Sequence, residues 1–484
     1  MSRHRAPHSS NKRRHLGRGG DGGLKTGGHL VLTIAASLFS TTVVTATLGF
    51  AFWVVAARLT TTEVVGRSAA LISAMQFIAT FATLGLQTML IAELHSRDAR
   101  GIRRLVVSSL SLAGAVSIAG AVGFAIVHHF AAAGERIYAT PIGVALFAIG
   151  AAVTAITIVL DGAVIGVQQS SRQVTRNLVF SAVKLLTLPL AAFTVGLSPV
   201  VVFSVWLLGN LVSLVVLALR TNALKHWLRT APSARGLSPL WRTIAGHHWV
   251  NVATQAPRLI LPVMVAAQLS DEANAAFYAA LLLATFMWII PDHLATAMFA
   301  LNSGNPQHFH AGLSTAIRLS AVVSVLAAVG APILARPMLG IFGPGYGEAS
   351  YCLVVLAFCT FASAIKSIYI AVRRAQGALN TAAYAAVLGA ILEIGAAEVG
   401  LKLGGITGIG IGLGAATLIE AAIFWPAIAK VRRQNVTPQH SNGDERQDPQ
   451  CRENAEFSGG NHDLARRDAT LPTSRYQRLL EDQL

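Results

Sequence analysis

Phe52 to Leu94 reads FWVVAARLTTTEVVGRSAALISAMQFIATFATLGLQTMLIAEL. An apolar run ends at Ala57, a short polar connection carries Arg58, Glu63 and Arg67, and a second apolar run follows at once. Each run is near the roughly 20 apolar residues that cross a hydrocarbon core. Two such runs joined by so tight a hinge predict a transmembrane helical hairpin. The pattern returns about 210 residues later, from Gln268 onward, and that recurrence sets the expected architecture.

The rest of the chain agrees with a polytopic membrane protein. Of its 484 residues, 53% are hydrophobic and 12% charged, the latter about half the share usual in globular domains. Mean hydropathy is +0.56. The net charge of +16 is concentrated in the tail Met1–Lys25 and a few connections. Such a pattern points to the retained side of a membrane protein and not to a nucleic-acid partner. Leu30 to Ala57 is too long for a signal-peptide core and reads as an uncleaved first span. Cys352 and Cys359 share one apolar segment and Cys451 lies in the polar tail, which is neither a disulfide framework nor a metal pattern.

The predicted fold class is all-α, with about twelve spans arranged as two parallel six-helix repeats around a central cavity. Residues 1–29 form a basic tail expected to be disordered. The first bundle covers 30–219, with spans near 30–57, 68–92, 105–127, 141–165, 178–196 and 199–219. A cytoplasmic linker follows over 220–245, where Trp227 and Trp241 stand among cations as in an interfacial helix on an anionic inner leaflet, a plain tether between the halves being the other reading. The second bundle covers 246–430, with spans near 246–267, 274–300, 312–333, 350–372, 378–400 and 404–429. A second tail, expected to be disordered, runs over 431–484.

Lys and Arg set the orientation. Arg97, Arg100, Arg103, Arg104, Arg172, Arg176, Arg220, Arg373 and Arg374 fall on the side of both tails. The opposite connections hold Arg58, Arg67, Arg136, Arg336 and Lys402. This bias predicts cytoplasmic termini. The connection Leu301–His310 is the one on the basic side without Lys or Arg.

Setting Leu59 against Leu269 pairs Thr60 with Ser270 and Ala69-Ala70-Leu71 with Ala279-Ala280-Leu281; further on, Gly196 falls near Gly405. An even number of crossings per repeat gives two halves of the same orientation, related by an axis along the membrane normal. Ionisable groups inside spans are expensive and usually face a cavity or a partner. The candidate substrate-binding residues are therefore Lys184, Arg258, Asp292, Glu393 and Glu420. The repeat places Lys184 and Glu393 at equivalent points, expected to face one cavity from opposite walls. In that reading Lys184 and Arg258 hold an anionic head group and Glu393 and Asp292 balance them. A salt bridge that only fixes helix packing is the other reading. Asp161, Arg318 and Lys366 lie nearer span ends, where Arg318 and Lys366 are expected to snorkel toward water. Gly404, Gly408 and Gly412 give a small-xxx-small pattern of close helix contact. No phosphate-binding loop with its Lys-Ser/Thr and no nucleophile elbow occurs, so no enzyme activity, metal or bound cofactor is expected.

The opening stretch is similar to the first hairpin of the polysaccharide-export flippases, the Wzx-type members of the multidrug/oligosaccharidyl-lipid/polysaccharide (MOP) exporter superfamily. The matching positions are Ala57-Arg58-Leu59, Glu63, Gly66 and Leu84-Gly85-Leu86. Further matches are AAFYAALLLATFMWIIPDHLATAMFA, with Tyr278, Pro291 and Phe299, and GGITGIGIG before the last span. The resemblance covers roughly residues 30–430 and fixes no functional residue. It implies a transporter of the bacterial cell membrane moving a polyprenyl-diphosphate-linked oligosaccharide for cell-surface polysaccharide assembly, driven by H+ or Na+ or by substrate gradients. It also implies a polysaccharide polymerase or glycosyltransferases as neighbours. Drug-extruding relatives often place a carboxylate in the first span, and Leu30 to Ala57 has none. The alternatives are a drug or small-molecule exporter of the same fold and a non-transporting scaffold for envelope synthesis.

Overall fold

The computed structural model describes residues 42–131, 140–221, 230–233, 240–301 and 306–433. The expected tails up to 29 and beyond 433, the start of the first expected span (30–41) and linker residues 222–229 and 234–239, with Trp227, lie outside the described residues, whereas Trp241, expected in the linker, begins the helix Trp241–Gln268. Among those described, every regular element is helical.

The first half runs α1 (Thr42–Leu59), α2 (Thr62–Ala82), α3 (Leu86–Glu93), α4 (Ala99–Ala131), α5 (Pro141–Gly166), α6 (Ser170–Thr194) and α7 (Pro199–Thr221). The second runs α8 (Trp241–Gln268), α9 (Asp271–Leu301), α10 (Pro306–Gly340), α11 (Ser350–Phe358) and α12 (Thr360–Ala375), then one long element, Leu379–Arg433. That last element breaks where Gly404 and Gly405 leave helical geometry, with Gly405 at φ 55°. It is therefore two antiparallel helices, α13 (379–403) and α14 (406–433). Ten helices are long and apolar enough to cross a membrane, and the pair α11–α12, bent by 47°, makes an eleventh. Counting both arms of the broken element gives twelve spans, in the two-repeat arrangement expected.

The hinge between the first two spans is shorter than the sequence suggested. Only Thr60 and Thr61 lie outside helix, and Glu63 and Arg67 belong to the first turns of α2. The cause is capping. The Val64 N–H donates to Thr61 Oγ1 at 3.4 Å, and Glu63 sits in the first turn, where the helix dipole favours an anion. In the second half the Ala273 N–H donates to Ser270 Oγ at 3.1 Å, so Ser270 does the same for α9.

Those caps also fix the repeat. Thr61 corresponds to Ser270, α2 begins at Thr62 and α9 at Asp271, α5 at Pro141 and α11 at Ser350, and α6 at Ser170 and the long element at Leu379. Two turns with φ > 0 obey the same spacing. Gln168 (62°) matches Gly377 (71°), and Gly196 (76°) matches Gly405 (55°). The register is thus one residue shorter than the pairing of Leu59 with Leu269 and of Ala69-Ala70-Leu71 with Ala279-Ala280-Leu281. Matches among Ala and Leu are cheap in apolar helices, whereas a cap or a left-handed turn has a physical position.

The halves meet along α2, α8 and α9. A Cβ on Gly66 would lie 1.6 Å from the Asp271 carbonyl oxygen, so α2 and α9 touch backbone to backbone there. Asn274, fully buried, donates to the Gly66 carbonyl at 2.7 Å. Aromatic rings extend the seam, with Trp53 against Tyr278 at 4.9 Å and Phe50 against Phe342 at 5.2 Å. Of the three glycines expected to make close helix contact, Gly408 and Gly412 do so, whereas Gly404 lies at the break and has nothing within 4 Å of a Cβ placed there. Cβ atoms on Gly408 and Gly412 would strike the carbonyls of Gly400 and Ala396 at 2.0 Å, so α13 and α14 approach as closely as small residues permit. Gly410 and Gly414 face the buried thiols of Cys352 and Cys359 in the same way.

Candidate functional site

A cavity of about 260 Å³ lies inside the second half, enclosed by α8, α9, α11, α12, α13 and α14. Prolines shape its walls. Pro257 and Pro262 interrupt α8 around Arg258, and Pro291 interrupts α9 beside Asp292. Arg258 Nη2 lies 3.2 Å from Asp292 Oδ2, and its guanidinium stacks 4.9 Å from the Trp288 ring centroid. Ser367 donates to Asp292 Oδ1 at 2.7 Å. Both partners of the ion pair are only half-buried, so a ligand that brings its own negative charge competes with Asp292 at modest cost. The Trp288 indole N–H is buried without an acceptor among the described residues, a donor available to a bound oxygen.

Deeper in the wall is a triad. Lys366 Nζ lies 2.9 Å from Glu393 Oε1 and 3.0 Å from Glu420 Oε2. The three residues are 9%, 7% and 2% exposed. Gly389 makes room for it, because a Cβ there would lie 2.7 Å from Glu420 Oε1. Lys366 is therefore not a snorkelling cation at a span end. The bend at α11–α12 and the neighbouring carboxylates hold it inside the bundle, where an unpaired ammonium would be costly.

The cavity reaches the basic end of the bundle at Arg374, in the last turn of α12. Arg374 Nη2 donates to Asn251 Oδ1 at 3.2 Å, and its Nε has no acceptor among the described residues. Thr254, Gln255, Thr296, Ser363 and Thr417 add hydroxyl and amide groups to the lining.

The five candidates thus divide. Arg258, Asp292 and Glu393 line this cavity, and Glu420 stands behind Lys366. Lys184 lies elsewhere, in the first half, at 2% exposure. Its ammonium sits 5.0 Å from the Phe52 ring, 4.4 Å from Phe180 and 4.1 Å from Trp206. Lys184 and Glu393 do occupy matching places, equally far from Ser170 and Leu379. They do not face each other, because Glu393 is held by Lys366 and Lys184 is boxed by aromatic rings. Asp161, expected near water, is instead buried in a bidentate pair with Arg176 at 2.8 and 2.7 Å. Arg318 is exposed.

Lys366, Arg374 and Trp288 are not among the site candidates read from the sequence, where Lys366 is a snorkelling cation and Arg374 a marker of orientation. A signal existed for the first two: Ser363, Lys366, Ser367 and Arg374 follow a helical period, a polar stripe on an otherwise apolar helix. At the opposite end the hinge is clasped shut. Arg58 donates to the carbonyls of Ile341 at 2.8 Å and Gly340 at 3.2 Å, and Arg67 pairs with Asp271 at 2.9 Å.

No protein-family model and no curated protein sequence matches the chain. Solved structures do. An inward-facing multidrug resistance MATE family transporter of the MOP superfamily superposes with a TM-score of 0.64 at 15% identity, over 84% of this chain and 99% of that one. The chain has the MATE transporter fold. An outward-facing MATE structure gives 0.59 at 15% identity, covering 87% and 100%. A MOP superfamily transporter from Pyrococcus furiosus, described as having a binding pocket of reversed polarity that suggests a different function, gives 0.62 at 14% identity, covering 88% and 100%. At such identity the likeness is one of fold, and the cargo has to be argued from the charges within it.

Proposed function

We propose that the protein is a membrane transporter of the MATE fold that flips a lipid-linked oligosaccharide, its diphosphate-sugar head group held in the second-half cavity. The observation that carries this reading is the Arg258–Asp292 pair. It is a guanidinium at 3.2 Å from its carboxylate, half-buried, and backed by the Trp288 ring in a polar-lined cavity. Guanidinium groups bind phosphate oxygens in a planar, two-pronged manner, and Arg374 supplies a second one at the mouth. In the empty state Asp292 neutralises Arg258; a diphosphate takes its place, and the hydroxyls around it suit a sugar.

The cavity reaches the basic end while Arg58, Arg67 and Gly66 close the hinge end. Alternating access then requires the clasp to open and the α3–α8 contact, where a Cβ on Gly85 would lie 2.4 Å from the Ile244 carbonyl oxygen, to hold the basic end. On this reading both termini are cytoplasmic, the membrane is the bacterial cell membrane, and ion or substrate gradients drive the cycle. Reversed polarity of the pocket suggests a different function for the Pyrococcus furiosus transporter. The same argument favours an anionic cargo here, since α1 carries no carboxylate to hold a cationic drug.

Depletion of the protein, followed by analysis of the lipid-linked pool, tests the proposal. Accumulation of a full-length oligosaccharide on the inner leaflet is expected. An unchanged pool with altered drug sensitivity would overturn it in favour of a small-molecule exporter.

A further inference from the structure

A second cavity, of about 320 Å³, lies between α6 and α7 at the basic end of the first half. It is lined by Arg172, Thr175, Arg176, Val216, Leu217 and Arg220. It shares no residue with the cavity proposed to hold the cargo. Three guanidinium groups therefore surround one small space beside helices whose outer faces are greasy, with Leu178, Leu208, Leu211, Val215 and Leu219 exposed.

The three arginines are not equivalent. Arg176 is buried and held by both oxygens of Asp161, by Asn177 and by Ser213 at 3.4 Å. Its charge is thus answered from within the bundle. Arg172 and Arg220 have no carboxylate within ion-pair distance among the described residues, and Arg172 Nη1 is buried without a hydrogen-bond partner. A buried guanidinium donor without an acceptor is an expensive thing to keep unless something supplies the acceptor. Counting Asp161, the site carries about two uncompensated positive charges where the bundle meets the surface region. Basic pockets between helices at that level suit lipid phosphates.

We infer that the α6–α7 pocket binds a phosphate-bearing anion, presented by an anionic phospholipid whose chains run along the exposed apolar faces of α6 and α7. Arg172 and Arg220 grip the phosphate, Thr175, whose hydroxyl donates to the Ser171 carbonyl at 3.0 Å, walls one side, and Arg176 with Asp161 forms the fixed floor. Free inorganic phosphate has the same head chemistry but gains nothing from those apolar faces.

The test uses the full-length protein purified in a mild detergent, with retained lipid measured by native mass spectrometry after incubation with phosphatidylglycerol, cardiolipin or phosphatidylcholine. The anionic lipids are expected to stay bound and phosphatidylcholine to be lost. The Arg172→Ala/Arg220→Ala variant is expected to bind the anionic lipids about thirty-fold more weakly, the effect of removing two cations near a membrane surface. Thr175→Phe keeps every charge and fills the pocket. It is expected to lose the lipid as well, which a diffuse surface attraction would not produce. Neither variant touches the Asp161–Arg176 pair, so the thermal stability of both should match the parent. Protection by millimolar inorganic phosphate, without retention of either anionic lipid, assigns the pocket to a free phosphate. Equal retention of anionic lipid by the parent and both variants, with no protection by phosphate, would overturn the inference. The outcome is independent of whether the protein flips an oligosaccharide.

Discussion

The Lys366–Glu393–Glu420 triad permits a quantitative test of how the second bundle tolerates charge. Two carboxylates share one ammonium, at 2.9 and 3.0 Å, so their contacting oxygens are no more than about 6 Å apart. At an effective dielectric of 20, each attraction amounts to roughly 6 kcal/mol and the repulsion between the carboxylates to at least roughly 3 kcal/mol. Lys366→Ala removes both attractions and leaves the repulsion in place, with Glu420 only 2% exposed. After relaxation, breaking a buried ion pair from one side costs about 3–5 kcal/mol. Glu420→Gln acts otherwise. It loses one attraction but relieves the repulsion and the desolvation of the more deeply buried carboxylate, and it leaves a simple Lys366–Glu393 pair. Its stability should stay within about 1 kcal/mol of the parent, or exceed it. Lys366→Met combined with Glu393→Gln and Glu420→Gln should recover most of what Lys366→Ala loses. Thermal melts of the detergent-solubilised protein, followed by tryptophan fluorescence and by the monodisperse fraction after heating, give the order directly. Glu420→Gln falling as far as Lys366→Ala, or Lys366→Ala melting with the parent, would refute the charge accounting.

Three further outcomes follow from other parts of the structure. Arg258→Ala should insert and fold normally, because Asp292 keeps its bond from Ser367, yet abolish flipping of the lipid-linked intermediate in a reconstituted assay; undiminished flipping removes Arg258 from the cargo site. Lys184→Met should melt no lower than the parent, since the aromatic box of Phe52, Phe180 and Trp206 accepts a thioether without the burden of a buried charge; a large loss of stability would mean that the cation itself holds the box together. Cysteines replacing Arg67 and Asp271, in a chain whose three native cysteines are serine or alanine, should be joined by a short reducible bis-thiol reagent, because α2 and α9 touch backbone to backbone beside them, and the bridge should stop transport until reduced. Full transport in the cross-linked protein would show that the hinge end need not open.

The sequence made the architecture legible because apolar run length is a direct consequence of bilayer thickness. The twelve spans fall near the expected places, from α5 at Pro141–Gly166 to α7 at Pro199–Thr221. Finer statements depended on what kind of residue carried them. The Gly196–Gly405 correspondence holds to the residue, because each glycine marks a left-handed turn at the end of a span. The Ala-Ala-Leu correspondence slipped by one position, because Ala and Leu recur throughout the apolar helices and these residues, most of them packed in the core, mark no cap or turn that would fix their place. Among the charges, Lys184 and Glu393 were read as a facing pair from their places in the repeat alone. Repeat position fixes depth but not direction, and the bend between α11 and α12 brings Lys366 to Glu393 first. Lys366 itself was hidden by its apparent nearness to a span end, since nothing local announces that a helix will be broken at Cys359 and tilted by 47°.

The repeat and the charges together bear on how a cargo would sit. The backbones of the two halves obey one spacing through caps, turns and breaks, yet equivalent points carry opposed chemistry. Lys184 stands alone among aromatic rings where its counterpart Glu393 is tied to Lys366. A cargo with two like ends would be served by two like cavities. A lipid-linked sugar has unlike ends, a charged and hydroxylated head and a long apolar chain, and it favours division of labour between halves. On the proposed reading the second half, with Arg258, Asp292 and Arg374, takes the head. The Phe52–Trp53–Trp206–Tyr278 cluster, which joins the first half to α9, is packed shut, with Phe52 and Trp53 buried, so the apolar chain is left to the surrounding lipid. On that reading the asymmetry belongs to the cargo and is laid over a symmetric frame: one backbone plan carries a charged, polar-lined cavity in the second half and an aromatic box around Lys184 in the first.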